Sequence, residues 1–123
     1  MDIVTNANFE FYIENTYSRD FTISGWSLPI DKVFFTVKEN EKDKRAVLQK
    51  TLNNGITLVN EENEVRTYNL LIDNTDTENM KTDFDYFCDV EIHSIGADGK
   101  IIEKTIIVGT LKLNSNSTRS YNE

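Results

Sequence analysis

The chain consists largely of short runs in which apolar and polar residues alternate. One face of TDFDYFCDVEIHS, residues 82–94, carries every second side chain, namely those of Tyr86, Cys88, Val90 and Ile92. The same period of two recurs in other runs, among them NFEFYIE, RDFTIS, KVFFTVKE and VRTYNLLID. Because successive side chains of a β-strand point to opposite faces, each run predicts a strand with one buried face.

Turn-forming residues separate these runs. The segments NNG at 53–55 and DG at 98–99 predict tight turns, because Asn and Gly readily adopt positive φ angles. Gly25 and Pro29 interrupt the alternation and predict a loop that crosses between two sheets. NTDTENM, residues 74–80, is the one helix-like segment, and we interpret it as a connector between two strands.

About seven to nine strands without a long helix predict an all-β fold. We expect an immunoglobulin-like antiparallel β-sandwich, because two sheets packed face to face bury their inward residues; a small β-barrel is the alternative. Tyr86 stands two residues before Cys88 and predicts a tyrosine corner, with its hydroxyl bonded back to the preceding connector. Gly109 is expected to mark a bulge or bend in the last strand. The predicted core comprises Phe21, Trp26, Phe35, Val37, Leu70, Ile72, Tyr86, Cys88, Val90 and Leu111.

The length of 123 residues fits one domain, which we place at residues 1–113, followed by a polar tail at 114–123. The single cysteine excludes an internal disulfide and, with no apolar run of signal-peptide length at the start, predicts folding in a reducing cytoplasm. No stretch approaches the roughly 20 apolar residues of a membrane span. A net charge of −8 with scattered Lys and Arg argues against nucleic acid as a partner.

The candidates for chemistry are few. His93 falls on a polar face and is interpreted as a surface histidine, and inward-facing Cys88 is poorly placed as a nucleophile. No nucleophile elbow, glycine-rich phosphate loop or calcium-loop spacing occurs. The sequence therefore predicts no enzyme activity, no catalytic residue, no metal site and no cofactor.

Outward-facing aromatic residues are the better functional signal. Tyr12, Phe34 and Phe87 lie on faces that should be polar, and grouped together they would form a patch for a protein partner or a sugar. A core wider than assumed, which covers both faces, is the other interpretation. The predicted contact residues are these three aromatics and the acidic hairpin tip, which consists of Glu61, Glu62 and Glu64.

Four segments, in order, resemble a known phage family: DFTISGWSLPIDKVFFTVKEN, AVLQKTLNNGITL, VRTYNLLIDNTDTENM and YFCDVEIHSIGADGKIIEKTIIVGTLKL. Residues 9–113 thus look like the N-terminal β-sandwich domain of siphophage baseplate upper proteins and related tail or fibre attachment modules. The chain departs from that family at KTDFD, where a glycine often precedes the aromatic strand. Family members usually continue into a stalk or fibre, whereas this sequence ends at SYNE.

The resemblance implies a non-enzymatic structural module or adaptor of a phage or prophage virion. Such a module docks on other tail, baseplate or fibre proteins through one sheet or an edge strand, within a symmetric oligomer. It is assembled in the cytoplasm of the host bacterium and resides in the virion. The alternative function is a carbohydrate- or receptor-binding β-sandwich module, which would need an exposed aromatic platform beside hydrogen-bonding groups.

Overall fold

The computed structural model describes residues 5–115, which form eight strands and no helix. The strands are β1 (Thr5–Tyr12), β2 (Tyr17–Ser24), β3 (Ile30–Lys38), β4 (Leu48–Leu52), β5 (Gly55–Glu62), β6 (Val65–Ile72), β7 (Asp85–Ile95) and β8 (Ile101–Asn114). The all-β prediction is therefore confirmed. The segment 74–80 is a series of turns between β6 and β7, as expected of a connector. Strand β8 extends to Asn114, one residue into the predicted tail, of which residues 116–123 lie outside the described part.

The strands follow the order β1-β8-β7-β3-β4-β5-β6-β2. In an immunoglobulin fold, strands B, E and D share one sheet and strands C, F and G share the other. Here β2, β6 and β5 occupy the places of B, E and D, and β3, β7 and β8 occupy those of C, F and G. The strand order is thus immunoglobulin-like, with β4 added beside β3 and β1 added beside β8.

The two halves are joined at β4 and β5 into one continuous sheet, which is nearly barrel-shaped. This junction is short, because only Thr51 with Gly55 and Leu52 with Ile56 are paired. The turn between them uses positive φ angles at Asn53 (72°) and Gly55 (100°), as the sequence predicts. The sheet is mixed rather than wholly antiparallel, because β4–β5 and β1–β8 are parallel pairs.

A single core lies between the two halves of the sheet. Most residues of the predicted core are buried there, and they are Phe35, Val37, Leu70, Ile72, Tyr86, Cys88, Val90 and Leu111. Phe21 and Trp26 are only partly buried and pack against its margin. Trp26 lies in the loop between β2 and β3 and donates a hydrogen bond from Nε1 to Ser94 Oγ (2.8 Å), which holds it against the core.

The tyrosine corner predicted from the Tyr-x-Cys pattern is confirmed. The hydroxyl of Tyr86 accepts a hydrogen bond from the backbone N–H of Lys81 (2.7 Å), which belongs to the connector before β7. Cys88 is fully buried, and burial raises the pKa of its thiol to about 12. The residue therefore acts as a small apolar core side chain.

Gly109 has a different role from the predicted one. The bulge in this part of the sheet lies opposite Val90 and Glu91, on the β8 segment 105–107. Gly109 is paired with Ala7 of β1, and a Cβ atom at this position would lie 1.6 Å from the carbonyl oxygen of Ala7. Glycine is thus needed here because the parallel strand β1 approaches β8 too closely for any side chain.

The crossing loop at residues 25–29 is held by a buried arginine that the sequence analysis did not single out. Arg66 donates from Nη1 to the carbonyl of Trp26 (2.9 Å), from Nη2 to that of Leu28 (2.8 Å), and from Nε to Glu61 Oε2 (2.9 Å). The alternation along β6 indicates this burial, because position 66 lies on the same inward-facing side of the strand as Tyr68 and Leu70. These contacts join the loop to β5 and β6.

Candidate docking surface

The structure does not bring the three predicted outward aromatics together. Phe34 and Phe87 are both partly buried on the outer face of β3 and β7. Phe34 is paired with Glu91, four positions along β7 from Phe87, which is a distance of about 13 Å. Tyr12 is exposed at the end of β1, two strands away from β7. These residues therefore do not form one aromatic platform.

The acidic residues Glu61, Glu62 and Glu64 form an exposed tip at the β5–β6 hairpin, in the opposite half of the sheet. Its turn residues Asn63 and Glu64 have φ angles of 52° and 66°, which correspond to a type I′ turn. Glu61 is engaged by Arg66 through a 2.9 Å ion pair. The tip is thus separate from Phe34 and Phe87, and one of its three carboxylates already has a partner within the chain.

An exposed apolar pair lies instead at the end of the β7–β8 hairpin. Ile95 and Ile101 face each other across the two strands and are 53% and 66% exposed. The turn that follows them is well fixed, because Gly96 N–H donates to the carbonyl of Lys100 (2.8 Å) and Gly99 adopts a φ of 82°. Two branched apolar side chains are therefore presented to solvent on a hydrogen-bonded scaffold.

This pair is continuous with one of the predicted aromatics. His93 and Glu103 form the next cross-strand pair on the same face of the sheet, and the ring of Phe34 lies 5.0 Å from that of His93. We call this surface the hairpin face; it consists of Phe34, Glu91, His93, Ile95, Ile101 and Glu103. It has apolar groups at both ends and ionisable groups between them.

The bulge in β8 explains why the sequence reasoning missed Ile101 and Glu103, whereas Ile95 has the same outward parity on β7 as His93 and was available to it. Odd-numbered residues 101–105 face outward before the bulge, whereas even-numbered residues face outward after it. If IIEKTIIVGTLKL is read as one regular strand, the alternation does not show where the outward-facing positions change from odd to even numbers. Three isoleucines beside the Asp-Gly turn were the available signal.

The ionisable centre of the hairpin face is compact. Nε2 of His93 lies 3.3 Å from Oε2 of Glu91 and 4.0 Å from Oε2 of Glu103. The side chain of His93 is 19% exposed, so it is more enclosed than the surface histidine expected from the sequence. On the adjacent position of β7, burial and then the charge of Glu91 raise the pKa of Asp89. The hairpin face therefore combines two carboxylates with one imidazole at its centre.

Neither the known protein-family models nor the curated proteins include a match to this chain. Within residues 5–115 the structure has no helix of the length and apolar character that would cross a membrane. The chain is thus an all-β module with an immunoglobulin-like strand order and a preformed, partly apolar hairpin face.

Proposed function

We propose that the chain is a non-enzymatic structural module of a phage or prophage virion that docks on a tail, baseplate or fibre protein. The exposed Ile95–Ile101 pair on a rigid hairpin is the observation that carries this proposal. The resemblance of residues 9–113 to baseplate upper proteins supplies the virion context, and the fold belongs to the class that the resemblance implies. The module is assembled in the host cytoplasm and works within a symmetric oligomer.

The energetic argument favours the hairpin face over the rest of the surface. Full burial of an isoleucine side chain stabilises a complex by about 1.5–3 kcal/mol relative to full exposure. Since Ile95 and Ile101 are 53% and 66% exposed, their burial would contribute about 2–4 kcal/mol together. Little ordering entropy opposes this gain, because the backbone of the hairpin is already fixed.

The arrangement of the strand edges favours docking through side chains rather than strand addition at the ends of the sheet. The two end strands, β1 and β2, face each other, and Arg19 donates from Nη1 to the carbonyl of Asn8 across the gap (3.0 Å). The rings of Phe11 and Tyr17 stack over the same gap, with centroids 4.3 Å apart. A partner strand would have to displace these contacts before it reached the backbone.

Carbohydrate or receptor binding is the less supported alternative. It needs adjacent exposed aromatic rings, whereas Phe34 and Phe87 are partly buried and lie four positions apart along the sheet. Phe34 stands beside the hydrogen-bonding groups of Glu91 and His93, but Phe87 and Tyr12 do not lie next to it. A single partly covered ring offers a sugar little stacking area.

The test is a binding measurement between the purified chain and the tail, baseplate and fibre proteins of its own phage genome, with light scattering for stoichiometry. We expect one of them to form a complex that the double variant Ile95→Ser/Ile101→Ser weakens at least about tenfold, since 1.4 kcal/mol corresponds to tenfold. Val59→Ser is the matched control, because Val59 is also 53% exposed but lies on β5. Equal binding by the double variant, or binding to none of these proteins, would contradict the proposal.

A further inference from the structure

We propose that Glu91, His93 and Glu103 form a binding site for a divalent transition-metal ion, with Zn²⁺ as the best fit. One ligand atom from each of these three residues lies within 4.8 Å of the other two. The inference rests on this cluster alone and does not depend on the proposed docking function.

The β-sheet itself positions the three ligands. Glu91 and His93 are two residues apart on β7, so their side chains leave the same face of the sheet. Glu103 is the direct cross-strand partner of His93 on β8. Both strands are paired throughout this region, and the three Cα positions are thus fixed by backbone hydrogen bonds rather than by loops.

The two carboxylates converge on one nitrogen atom. Oε2 of Glu91 and Oε2 of Glu103 lie 3.3 Å and 4.0 Å from the same atom, Nε2 of His93. Two carboxylate oxygens and one imidazole nitrogen thus point to a common region of space. A divalent cation placed there would interact favourably with all three groups at once.

Phe34 supplies an independent observation that favours a preorganised ligand. Its ring lies 5.0 Å from the imidazole of His93 at an interplanar angle of 58°. This contact covers one side of the imidazole and restricts its rotation. A histidine held in this way loses less conformational freedom when it binds a metal than a freely rotating one.

The ligand set and its dimensions suit Zn²⁺. Imidazole nitrogen and carboxylate oxygen are both zinc ligands, and an open zinc site has three protein ligands with solvent in the fourth position. Zinc bonds of about 2.0–2.2 Å in a tetrahedral arrangement place the ligand atoms about 3.4 Å apart. The pair Glu91–His93 already has this spacing at 3.3 Å, and the side chain of Glu103, which is 62% exposed, has room to approach.

The chain offers a clear assay, because it contains one histidine and one cysteine. Cys88 does not compete, since burial holds the pKa of its thiol at about 12 and the side chain is inaccessible. Chelator-treated protein is titrated with Zn²⁺ while the imidazole resonances of His93 are followed by NMR and the binding heat by calorimetry. We expect saturable 1:1 binding, with resonance shifts that a chelator reverses.

Two variants and one control decide the assignment. His93→Gln should abolish the saturable heat, and Glu103→Gln should weaken binding at least about tenfold. Glu62→Gln removes the same charge from the distant β5–β6 tip and should leave the affinity unchanged. Circular dichroism confirms that each variant is folded. An absence of saturable shifts at millimolar Zn²⁺, or equal affinity in all three variants, would overturn the proposal and show adventitious binding only.

Discussion

The gap between β1 and β2 and the β7–β8 hairpin differ in which groups are covered and which are exposed to solvent. At the gap, two strands have unpaired edges, but side chains cover them: Arg19 spans from Asn8 O to the ring of Phe9, 4.6 Å from its centroid. At the hairpin, backbone groups are paired as far as Ile95 and Ile101, and the apolar side chains are exposed. The chain thus covers the backbone edges that promote nonspecific strand pairing and exposes a defined side-chain surface.

The part of β5 that is not paired with β4 is also protected against strand pairing, as the gap between β1 and β2 is. Beyond its two pairs with β4, this strand has no neighbour on one side among the described residues. A bulge at Val59 interrupts its regular pairing with β6, and Glu61 and Glu62 add charge. Bulges and charged residues are two ways in which proteins prevent edge-to-edge association. The hairpin face differs from both edges, because its backbone is paired and two isoleucine side chains are exposed.

The largest effect is expected where β1 meets β8. Gly109→Ala would place a Cβ atom 1.6 Å from the Ala7 carbonyl oxygen, and this backbone atom cannot move without separating the strands. We expect a loss of at least about 3 kcal/mol in the free energy of unfolding, measured by urea denaturation. Thr110→Ala removes only the hydrogen bond to Asn8 Oδ1 and should cost about 1 kcal/mol. Equal losses in the two variants would contradict the close-approach argument.

A smaller effect is expected from Arg19→Met, which removes the hydrogen bond to Asn8 O and the cation–π contact with Phe9. These interactions together are worth about 1–2 kcal/mol. Cys88 reports locally on the gap, because it is paired with Gly109, which in turn is paired with Ala7 of β1. Its thiol, with a pKa of about 12, should resist alkylation at pH 8 in the wild type.

Alkylation of Cys88 should be faster in Arg19→Met than in the wild type, since the more frequent opening of the gap outweighs the loss of the Arg19 charge, which lowers the pKa of the Cys88 thiol. Arg19→Lys is the control, because it retains a positive charge and much of the aliphatic stem. A rate that is unchanged in Arg19→Met would show that this arginine does not hold the two end strands together.

The hairpin face should tolerate substitution where the gap does not. Ile95→Ser/Ile101→Ser removes exposed side chains and should change the free energy of unfolding by no more than about 1 kcal/mol in total. The measurement is urea denaturation beside the wild type. A loss comparable to that of Gly109→Ala would mean that the two isoleucines serve folding, and the docking proposal would lose its basis.

The sequence predicts the interior of this protein better than its surface, for a physical reason. Strict alternation placed Tyr86, Cys88 and Val90 on the buried face, because one strand alone determines that parity. The hairpin face depends on which residues of β7 and β8 are opposite each other, and the bulge near Ile106 changes that register. Gly109 likewise depends on the approach of β1, a strand about 100 residues away in sequence.

The smallest predicted effect is a gain in stability at the β5–β6 turn. Glu64 adopts a φ of 66°, which costs a non-glycine residue about 1 kcal/mol, whereas type I′ turns favour Asn-Gly. Glu64→Gly should therefore raise the free energy of unfolding by about 0.5 kcal/mol. The backbone strain that is removed from the folded state slightly exceeds the free energy by which glycine stabilises the unfolded chain through its larger conformational entropy. Glu62→Gly is the matched control and should destabilise, because Glu62 is paired with Val65 within the strands. Urea denaturation measures the free energy of unfolding of both variants. Destabilisation by Glu64→Gly would mean that the Glu64 carboxylate makes a contact whose contribution exceeds the backbone strain at this residue.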